Sequence, residues 1–323
     1  MGKSKLKVSQ IGMGCYAIGG PFQGSNDRKL AYGPVDDAES KRTIRKAIEL
    51  GINFFDTADV YGCGHSERIL GEVLEEYDRK KLVIATKFAN EFDETTKTAI
   101  GKNVSPNYVR KALDASLDRL RTDYIDLYQL HDSQHDLESA PNVRALLEDL
   151  TSEGKIRGYG WSTDNVERAQ IFAEGKNCIA VQYAIHITRS NPKMTGLCEK
   201  YDLAGVIRSP LGSGTLTGKY TKEYVRSISK DHIWYNGAFV DDEKYLERMK
   251  RIDQIKELLE GSIYTPVQIF LSYLWLTSRT TVPIPGAKTV EQITENASIL
   301  KNPPPQNLIN EVDSIIRDLR IVV

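Results

Sequence analysis

Four polar side chains follow apolar runs of the sequence, and their chemical types could together move a proton. Asp56 and Tyr61 come after the apolar run 52–55, and Lys87 and His131 each end a later run. An ammonium beside a phenol favours the phenolate, so Lys87 is expected to lower the pKa of Tyr61 from its usual value of about 10. Asp56 would keep Lys87 charged and oriented through an ion pair, and His131 would add a hydrogen-bonding group near a carbonyl. The set predicts proton donation by Tyr61.

The sequence offers no obvious second reactant for such a proton donor. No serine or cysteine with a partner base stands out, and no cluster of metal ligands is visible. A hydride from a nicotinamide cofactor would complete the reaction. The four cysteines have the spacing of neither a disulfide framework nor a zinc site. They are expected to be ordinary thiols in a reducing cytoplasm.

The elements that must position these side chains alternate between short apolar runs and amphipathic helical patterns. The pattern over 37–51, for example, has apolar positions on one face and closes on Gly51. Apolar runs that are each followed by a helical pattern predict an α/β fold, a (β/α)8 TIM barrel, with 1–323 as one domain. The eight runs are 8–14, 52–57, 81–87, 124–131, 156–162, 179–184, 204–210 and 280–286.

A barrel would gather the polar ends of these runs at one mouth, because the carboxyl ends of parallel strands face the same way. Lys87, Ser162 and Gln182 are among the residues at such ends. A doubly wound sheet is the competing fold, and it would need a glycine-rich turn leading directly into a helix. The glycines of 12–20 lead instead into a polar segment, which we interpret as a loop over the site.

Several segments are predicted to surround the barrel. The interval 211–280 has no obvious strand, which is typical of a long insertion that forms a lid or a substrate wall. Residues 303–323 predict an extra C-terminal helix outside the barrel. The long substrate loops are expected to decide which substrate is accepted; they are 15–37, 88–104, 132–139 and 212–245.

Charge and hydropathy exclude other classes of protein. The formal net charge is −1, so binding to nucleic acid through phosphates is not expected. No apolar run reaches 18 residues, so no membrane span is expected, and the N-terminus lacks the apolar stretch of a secretory signal. A cytoplasmic protein with a small-molecule substrate is the resulting expectation, and the oligomeric state is left open.

The sequence resembles the aldo-keto reductases along nearly its whole length. Asp56, Tyr61, Lys87 and His131 match the family's catalytic tetrad, and the segment 51–74 resembles its most recognisable motif in the form found in bacterial branches. The resemblance implies a (β/α)8 barrel, NADP(H) as cofactor and reversible reduction of aldehydes or ketones.

The resemblance also implies which residues contact the cofactor. Ser162, Thr163 and Gln182 match the positions that bind the carboxamide, with Thr163 where Asn is common. Arg208 occupies the place of a tyrosine that stacks on the nicotinamide in many relatives. The positions that match the pyrophosphate segment are Ser209, Leu211, Ser213 and Lys219. Those that match the loop for the adenosine 2′-phosphate are Gly286, Lys288, Gln292, Glu295 and Asn296.

These observations favour an NADPH-dependent reductase of an aldehyde or ketone. Polar segments in the substrate loops lean toward a hydroxylated, sugar-like substrate. Tyr16, Phe88, Trp234 and Tyr235 are candidates to line its site. Two alternatives stay open: an NADPH-binding regulatory subunit that resembles channel β subunits, and a specialised ketoreductase of a sugar nucleotide.

Overall fold

A computed structural model describes residues 1–24, 29–228, 230–234 and 238–323, with strands and helices labelled in chain order. Eight parallel strands form one sheet, and each overlaps one of the eight predicted apolar runs, which confirms the predicted strands. They are β1 (Met13–Gly14), β4 (Phe54–Asp56), β5 (Val83–Phe88), β8 (Leu127–Leu130), β9 (Tyr159–Ser162), β10 (Cys178–Ala184), β12 (Ala204–Arg208) and β13 (Thr281–Pro283).

The sheet curls so that its first strand meets the segment after its last. Neighbouring strands pair in chain order from β1 to β13. The backbone N–H of Gly12 donates to Pro283 O at 2.8 Å, and that of Gly14 donates to Pro285 O at 3.0 Å. Gly14 also forms a parallel bridge with Gly286. The arrangement is consistent with a (β/α)8 barrel.

Helices surround the sheet, and their ends follow local capping chemistry. Asp36 caps the first helix by accepting from the N–H of Glu39, and Thr265 forms a capping box with Gln268. The helices are α1 (Asp37–Glu49), α2 (His65–Leu74), α3 (Pro106–Leu120), α4 (Ala140–Ser152), α5 (Val166–Ala173), α6 (Pro192–Lys200), α7 (Lys222–Ser227), α8 (Glu243–Leu258), α9 (Pro266–Thr277), α10 (Val290–Ser298) and α11 (Gln306–Ile316). Short 3₁₀ segments lie at Cys15–Ile18, Arg79–Lys81, Gly212–Thr217, Ala238–Asp241 and Arg317–Leu319.

The core has an inner and an outer part. Small and branched side chains such as Ala85 and Val206 fill the inside of the sheet. Larger side chains lie between the sheet and the helices, where Trp161 packs on Phe172 of α5 with ring centroids 4.7 Å apart. Since side chains alternate along a strand, Trp161 on the outer face puts Ser162 on the inner face.

Two segments predicted as loops form a small second sheet. Its strands are β2 (Phe22–Gln23), β3 (Lys29–Leu30), β6 (Asn90–Asp93) and β7 (Thr98–Lys102). Gln23 pairs with Thr98, so the sheet joins the loop after β1 to the loop after β5. The tight turn between β6 and β7 is fixed by Asp93, whose Oδ1 accepts from two following backbone N–H groups. β2 and β3 have only two residues each, which is too short to show a period of two, so these two strands carry no strand signal in the sequence.

The long insertion and the tail pack together on the outside. Ile252 and Ile255 of α8 share an apolar cluster with Ile309 and Val312 of α11. After α11 the tail forms β14 (Ile321–Val322), which pairs in parallel with β11 (Arg189–Ser190) in a two-stranded ribbon. In the described part of the chain, none of the helices has both the length and the apolar composition to cross a bilayer.

Candidate active site

Strand alternation carries polar side chains to one end of the barrel interior. Residues two apart on a strand share a face. Phe54 belongs to the inner apolar cluster, so Asp56 faces inward as well, and Ala85 leads in the same way to Lys87. The same two-residue alternation on other strands places more polar side chains on the inner face: Gln129, Ser162, Gln182 and Arg208. The apolar filling therefore ends in a polar layer at the carboxyl ends of the strands.

Lys87 lies in this layer with a fully buried ammonium. Its Nζ donates to Asp56 Oδ1 at 2.6 Å, to the Thr57 carbonyl at 2.7 Å and to the Tyr61 hydroxyl at 3.2 Å. An ammonium has three donor hydrogens, and each of them has a partner here. Burial acts to lower the pKa of Lys87, but the Asp56 charge and the hydrogen bonds outweigh burial and raise it. Lys87 is therefore a cation beside the Tyr61 hydroxyl.

The second carboxylate oxygen of Asp56 is held by two amides. Asp56 Oδ2 accepts from Gln129 Nε2 at 3.0 Å and from Gln182 Nε2 at 2.7 Å. Gln182 Nε2 also lies 3.4 Å from Gln129 Oε1. Sequence analysis missed Gln129, although a glutamine inside an apolar run, two positions before His131, was an available signal. Both amides orient the carboxylate and thereby the ammonium that it holds.

Tyr61 reaches the layer from the loop between β4 and α2. Its ring packs edge-on against Tyr16, with centroids 5.0 Å apart, and against His131, with centroids 5.7 Å apart. Burial raises the pKa of Tyr61, while the Lys87 charge and hydrogen bond act to lower it. The expected net lowering is therefore wrong, because the cost of burying a phenolate exceeds the help from one cation. Lys87 limits a rise in the pKa of Tyr61.

His131 is neutral in this environment. Burial lowers its pKa well below the usual value, and the charges of Lys87, Lys102 and Arg208 lower it further. Its Nδ1 lies 3.3 Å from Nδ2 of Asn90. Asn90 and Lys102 were missed because they lie in a segment predicted as a loop.

The residues expected at the carboxamide end divide into two groups. Ser162 Oγ donates to Gln182 Oε1 at 3.4 Å and lies on the inner face. Thr163 is fully buried, and its Oγ1 donates to the Ser133 carbonyl at 3.1 Å and accepts from the N–H of Asn165. The structure therefore places Ser162 in the polar layer, whereas the hydroxyl of Thr163 is engaged away from it.

Arg208 is the last residue of β12 and forms an ion pair with Asp164, an acid that sequence analysis missed. Its Nη2 lies 2.5 Å from Asp164 Oδ2, and Arg189 contacts the same oxygen at 3.4 Å. Asp164 Oδ1 accepts from the N–H of Ala184. The side chain of Arg208 is 36% exposed, so its guanidinium reaches the mouth of the barrel while one edge is fixed by Asp164.

The segment after Arg208 has an unusual backbone. Ser209 and Ser213 have positive φ angles of 51° and 55°, and three glycines between 212 and 218 also have positive φ. At Gly214 a side chain would place Cβ 2.9 Å from the ring of Tyr220, so only glycine is accommodated. Gly212, Ser213 and Gly214 are consecutive left-handed residues, so the chain turns tightly here, and tight turns can present backbone N–H groups to an anion. Leu211 is half-buried here and packs against the core.

Two lysines, Lys219 directly after this segment and Lys288 after β13, lie close enough for their charges to interact. Burial lowers the pKa of Lys288, and the charge of Lys219 lowers it further. In the described ranges neither lysine forms an ion pair with a carboxylate. Lys288 Nζ instead donates to the carbonyls of Tyr32 at 3.0 Å and Pro34 at 2.6 Å. Two cations without an acidic partner suit a phosphate group.

The other residues of the predicted 2′-phosphate loop have mixed surroundings. Gln292 is exposed and accepts from the N–H of Lys288 at 2.8 Å, whereas Glu295 accepts from Thr265 Oγ1 at 2.7 Å. Asn296 is 3% exposed, and Gly286 is exposed beside Gly14. Gln292 therefore organises the Lys288 backbone, and Glu295 supports the start of α9.

The residues predicted to line the substrate site lie in different environments. Tyr16 lies at the mouth against Tyr61, and Trp234 donates from Nε1 to the Ser213 carbonyl at 3.3 Å. Phe88 is fully buried and stacks on Tyr128 at 4.6 Å, so its assignment to the substrate site is wrong; its position on β5 points it into the helix layer. Tyr235 lies outside the described residues.

Comparison with known proteins identifies the class. The sequence model of the Aldo/keto reductase family matches residues 10–317. The chain belongs to the aldo-keto reductase family, and it is an oxidoreductase by the class of its named relatives.

Individual relatives differ in what their names state. An NADH-specific methylglyoxal reductase of Escherichia coli is 29% identical, with 93% of this chain and 92% of that protein aligned. An aldo-keto reductase of Schizosaccharomyces pombe named with NADP(+) is 28% identical over 91% and 84% of the two chains. A putative voltage-gated potassium channel subunit beta from the same yeast is 29% identical over 98% and 92%.

A solved structure is similar over the whole chain. The glycerol dehydrogenase of Gluconobacter oxydans superposes with a TM-score of 0.81 at 26% identity, covering 98% of this chain and 93% of the other. The similarity supports the eight-stranded parallel fold described above.

The buried pair of Asp56 and Lys87 generates a stability prediction. Asp56→Asn leaves an ammonium buried without its counter-charge, which should cost about 3–5 kcal/mol of unfolding free energy. Adding Lys87→Met removes that charge, so the double variant should be more stable than Asp56→Asn alone. Urea unfolding of the two single variants and the double variant measures this coupling. Strictly additive effects would contradict the account of the pair.

Proposed function

We propose that the chain is an NADPH-dependent reductase of aldehydes or ketones in which Tyr61 donates the proton. One observation carries the proposal: the Tyr61 hydroxyl lies 3.2 Å from a buried Lys87 ammonium that Asp56 holds at 2.6 Å. A hydroxyl bonded to a fixed cation can release its proton to a substrate oxygen, because the cation stabilises the phenolate that remains.

The residues of this chain have separate tasks in the reaction. A bound NADPH would supply the hydride to the carbonyl carbon. Tyr61 transfers its hydroxyl proton to the carbonyl oxygen, and Lys87 stabilises the resulting phenolate. His131 is neutral, so a ring N–H can donate a hydrogen bond to the same oxygen without adding a third buried charge. The raised pKa of Tyr61 keeps its hydroxyl protonated at neutral pH, as the reductive direction requires.

The donor set of the cleft suits a dinucleotide with a 2′-phosphate. Ser162 and the oxygen of Gln182 are polar groups on the inner face, where they would hold the carboxamide. Arg208 would present its guanidinium to the nicotinamide. The segment with Ser209, Leu211 and Ser213 would bind the pyrophosphate through its turned backbone. Lys219 and Lys288, with Gly286, Gln292 and Asn296 near them, would hold the 2′-phosphate.

A small hydroxylated compound is the substrate class that we favour. Tyr16 and Trp234 would form the apolar walls, and the substrate loops contribute polar groups around them. The names of two similar proteins, a methylglyoxal reductase and a glycerol dehydrogenase, are in keeping with a short oxygen-rich substrate.

A regulatory NADPH-binding subunit is the second candidate, and the similar yeast channel subunit is the observation that favours it. Such a protein needs cofactor binding but not fast turnover. The complete proton-donor set at the mouth supports the enzyme. Rapid steady-state reduction of simple aldehydes would favour the reductase, whereas binding without turnover would favour the regulatory subunit.

Removal of one hydroxyl tests the proton donor. Tyr61→Phe should lower kcat for carbonyl reduction by about 10²–10⁴-fold, because the general acid is lost while the ring remains. Fluorescence titration should show NADPH affinity close to that of the unmodified protein. Tyr16→Phe is the matched control, since it removes a hydroxyl from the adjacent ring, and it should keep most of the activity. Turnover by Tyr61→Phe similar to that of the parent would overturn the assignment.

A second titration tests the phosphate site. The unmodified protein should bind NADPH more tightly than NADH, and Lys288→Met should weaken NADPH binding about tenfold through the loss of one charged hydrogen bond. NADH affinity should change little. Lys301→Met, at an exposed lysine after α10, is the control for losing one positive charge elsewhere on the surface. Equal weakening of both cofactors by Lys288→Met would contradict the placement of the 2′-phosphate, and no binding of either would refute the proposed function.

A further inference from the structure

A short chain of polar contacts runs from the second sheet to the ring of His131. Lys102 Nζ donates to Asn90 Oδ1 at 2.7 Å and to the His131 carbonyl at 2.7 Å. Asn90 Nδ2, which has two hydrogens, then lies 3.3 Å from His131 Nδ1 and 3.5 Å from the His131 carbonyl oxygen. The first contact joins β7 to β6, and the others join these strands to His131, which directly follows β8.

The donor and acceptor types in this chain leave one arrangement. An ammonium only donates, so the Asn90 atom that faces Lys102 must be the carbonyl oxygen. The other end of the amide is an NH₂ group, which also only donates, so Nδ1 of the ring must accept. A neutral imidazole with an accepting Nδ1 carries its hydrogen on Nε2.

We propose that Lys102 and Asn90 are positioning residues that hold His131 in the tautomer with hydrogen on Nε2. This inference rests on the proposed function, because it gives His131 a hydrogen to donate to the substrate oxygen. The opposite tautomer would offer only a lone pair at Nε2, and it would repel the oxygen as negative charge develops there.

The backbone around Asn90 is built to fix this contact. Ala89 is fully buried and has a φ of 108°, a conformation that a residue with a side chain rarely adopts. Such a strained backbone conformation persists only where neighbouring contacts enforce it. Here the Ala89 carbonyl accepts from the N–H of Asn103 at 2.9 Å, and the Asn90 carbonyl accepts from Tyr108 Oη at 2.6 Å. The strained turn at the end of β5 places the Asn90 side chain beside the His131 ring.

Surrounding charges support a neutral ring. Three cations face His131 from separate strands: Lys87 on β5, Lys102 on β7 and Arg208 on β12. They disfavour an imidazolium, so the hydrogen on Nε2 depends on the choice between the two neutral tautomers. The amide of Asn90 makes that choice.

Nitrogen NMR of the cofactor-free protein tests the proposal directly. Long-range ¹H–¹⁵N correlations distinguish a ring nitrogen that carries hydrogen from one with a lone pair, and His131→Gln identifies the signals among the five histidines. At neutral pH we expect hydrogen on Nε2 and a lone pair on Nδ1 in the unmodified protein. Hydrogen on Nδ1 would overturn the proposal without any variant and without any measurement of activity.

A near-isosteric substitution tests the role in the reaction. Asn90→Asp replaces the donor by an acceptor, so the hydrogen should move to Nδ1 and kcat should fall about 10²-fold, as on loss of one donor to an oxyanion. NADPH affinity should change little. Asn107→Asp, at an exposed position in the first turn of α3, adds the same charge and should leave tautomer and kcat unchanged. An unchanged tautomer or unchanged kcat in folded Asn90→Asp would overturn the proposal.

The proposed tautomer of His131 and the proposed reductase function can be refuted independently of each other. The tautomer is read without cofactor or substrate, so it tests the placement of the hydrogen even if the unmodified protein reduces no carbonyl compound. Absent turnover in the unmodified protein would refute the proposed function.

Discussion

The site depends on one buried cation. The Lys87 ammonium has no exposure to solvent, and such a group persists only if opposite charge and hydrogen bonds replace water. Asp56 supplies the charge from the neighbouring strand, and the parallel register of β4 and β5 keeps the two side chains on one inner face. Gln129 and Gln182 then satisfy the remaining carboxylate oxygen. Four strands thus contribute to placing one hydrogen atom against Tyr61.

Two opposing effects act on Tyr61. Burial penalises the phenolate and raises the pKa, and Lys87 stabilises the phenolate and limits that rise. For a group that must donate a proton in the reductive direction, a raised pKa is useful because the hydroxyl stays protonated. The cation becomes important once the proton has left. His131, kept neutral by burial and by nearby cations, complements this pair as a donor that adds no charge.

Much of the barrel could be predicted because its signals are local. Several of the apolar runs that form the strands have a polar residue at or next to their carboxyl end, and these residues include Asp56, Lys87 and His131. The resemblance to a family added the expected cofactor positions. Sequence analysis failed where the cause lies in tertiary structure. Asn90 and Lys102 reach His131 only because a strained turn and a small sheet fold back on the mouth.

Other misses have the same origin. The buried position of Phe88 follows from which face of β5 it occupies, and one residue of register decides that. The direction of the pKa shift of Tyr61 depends on how completely water is excluded, which no spacing reveals. The Arg208–Asp164 pair joins side chains 44 positions apart in sequence.

The pH dependence of kcat/KM for carbonyl reduction tests the central claim most directly. Reduction needs Tyr61 protonated and His131 neutral. Since the pKa of Tyr61 is raised and that of His131 is lowered, neither group should titrate between about pH 6.5 and about pH 9, and kcat/KM should stay level across that range. A decline with a midpoint near pH 8 would show that Lys87 lowers the pKa of Tyr61 below that of a free phenol. That result would contradict the account of a buried, protonated donor.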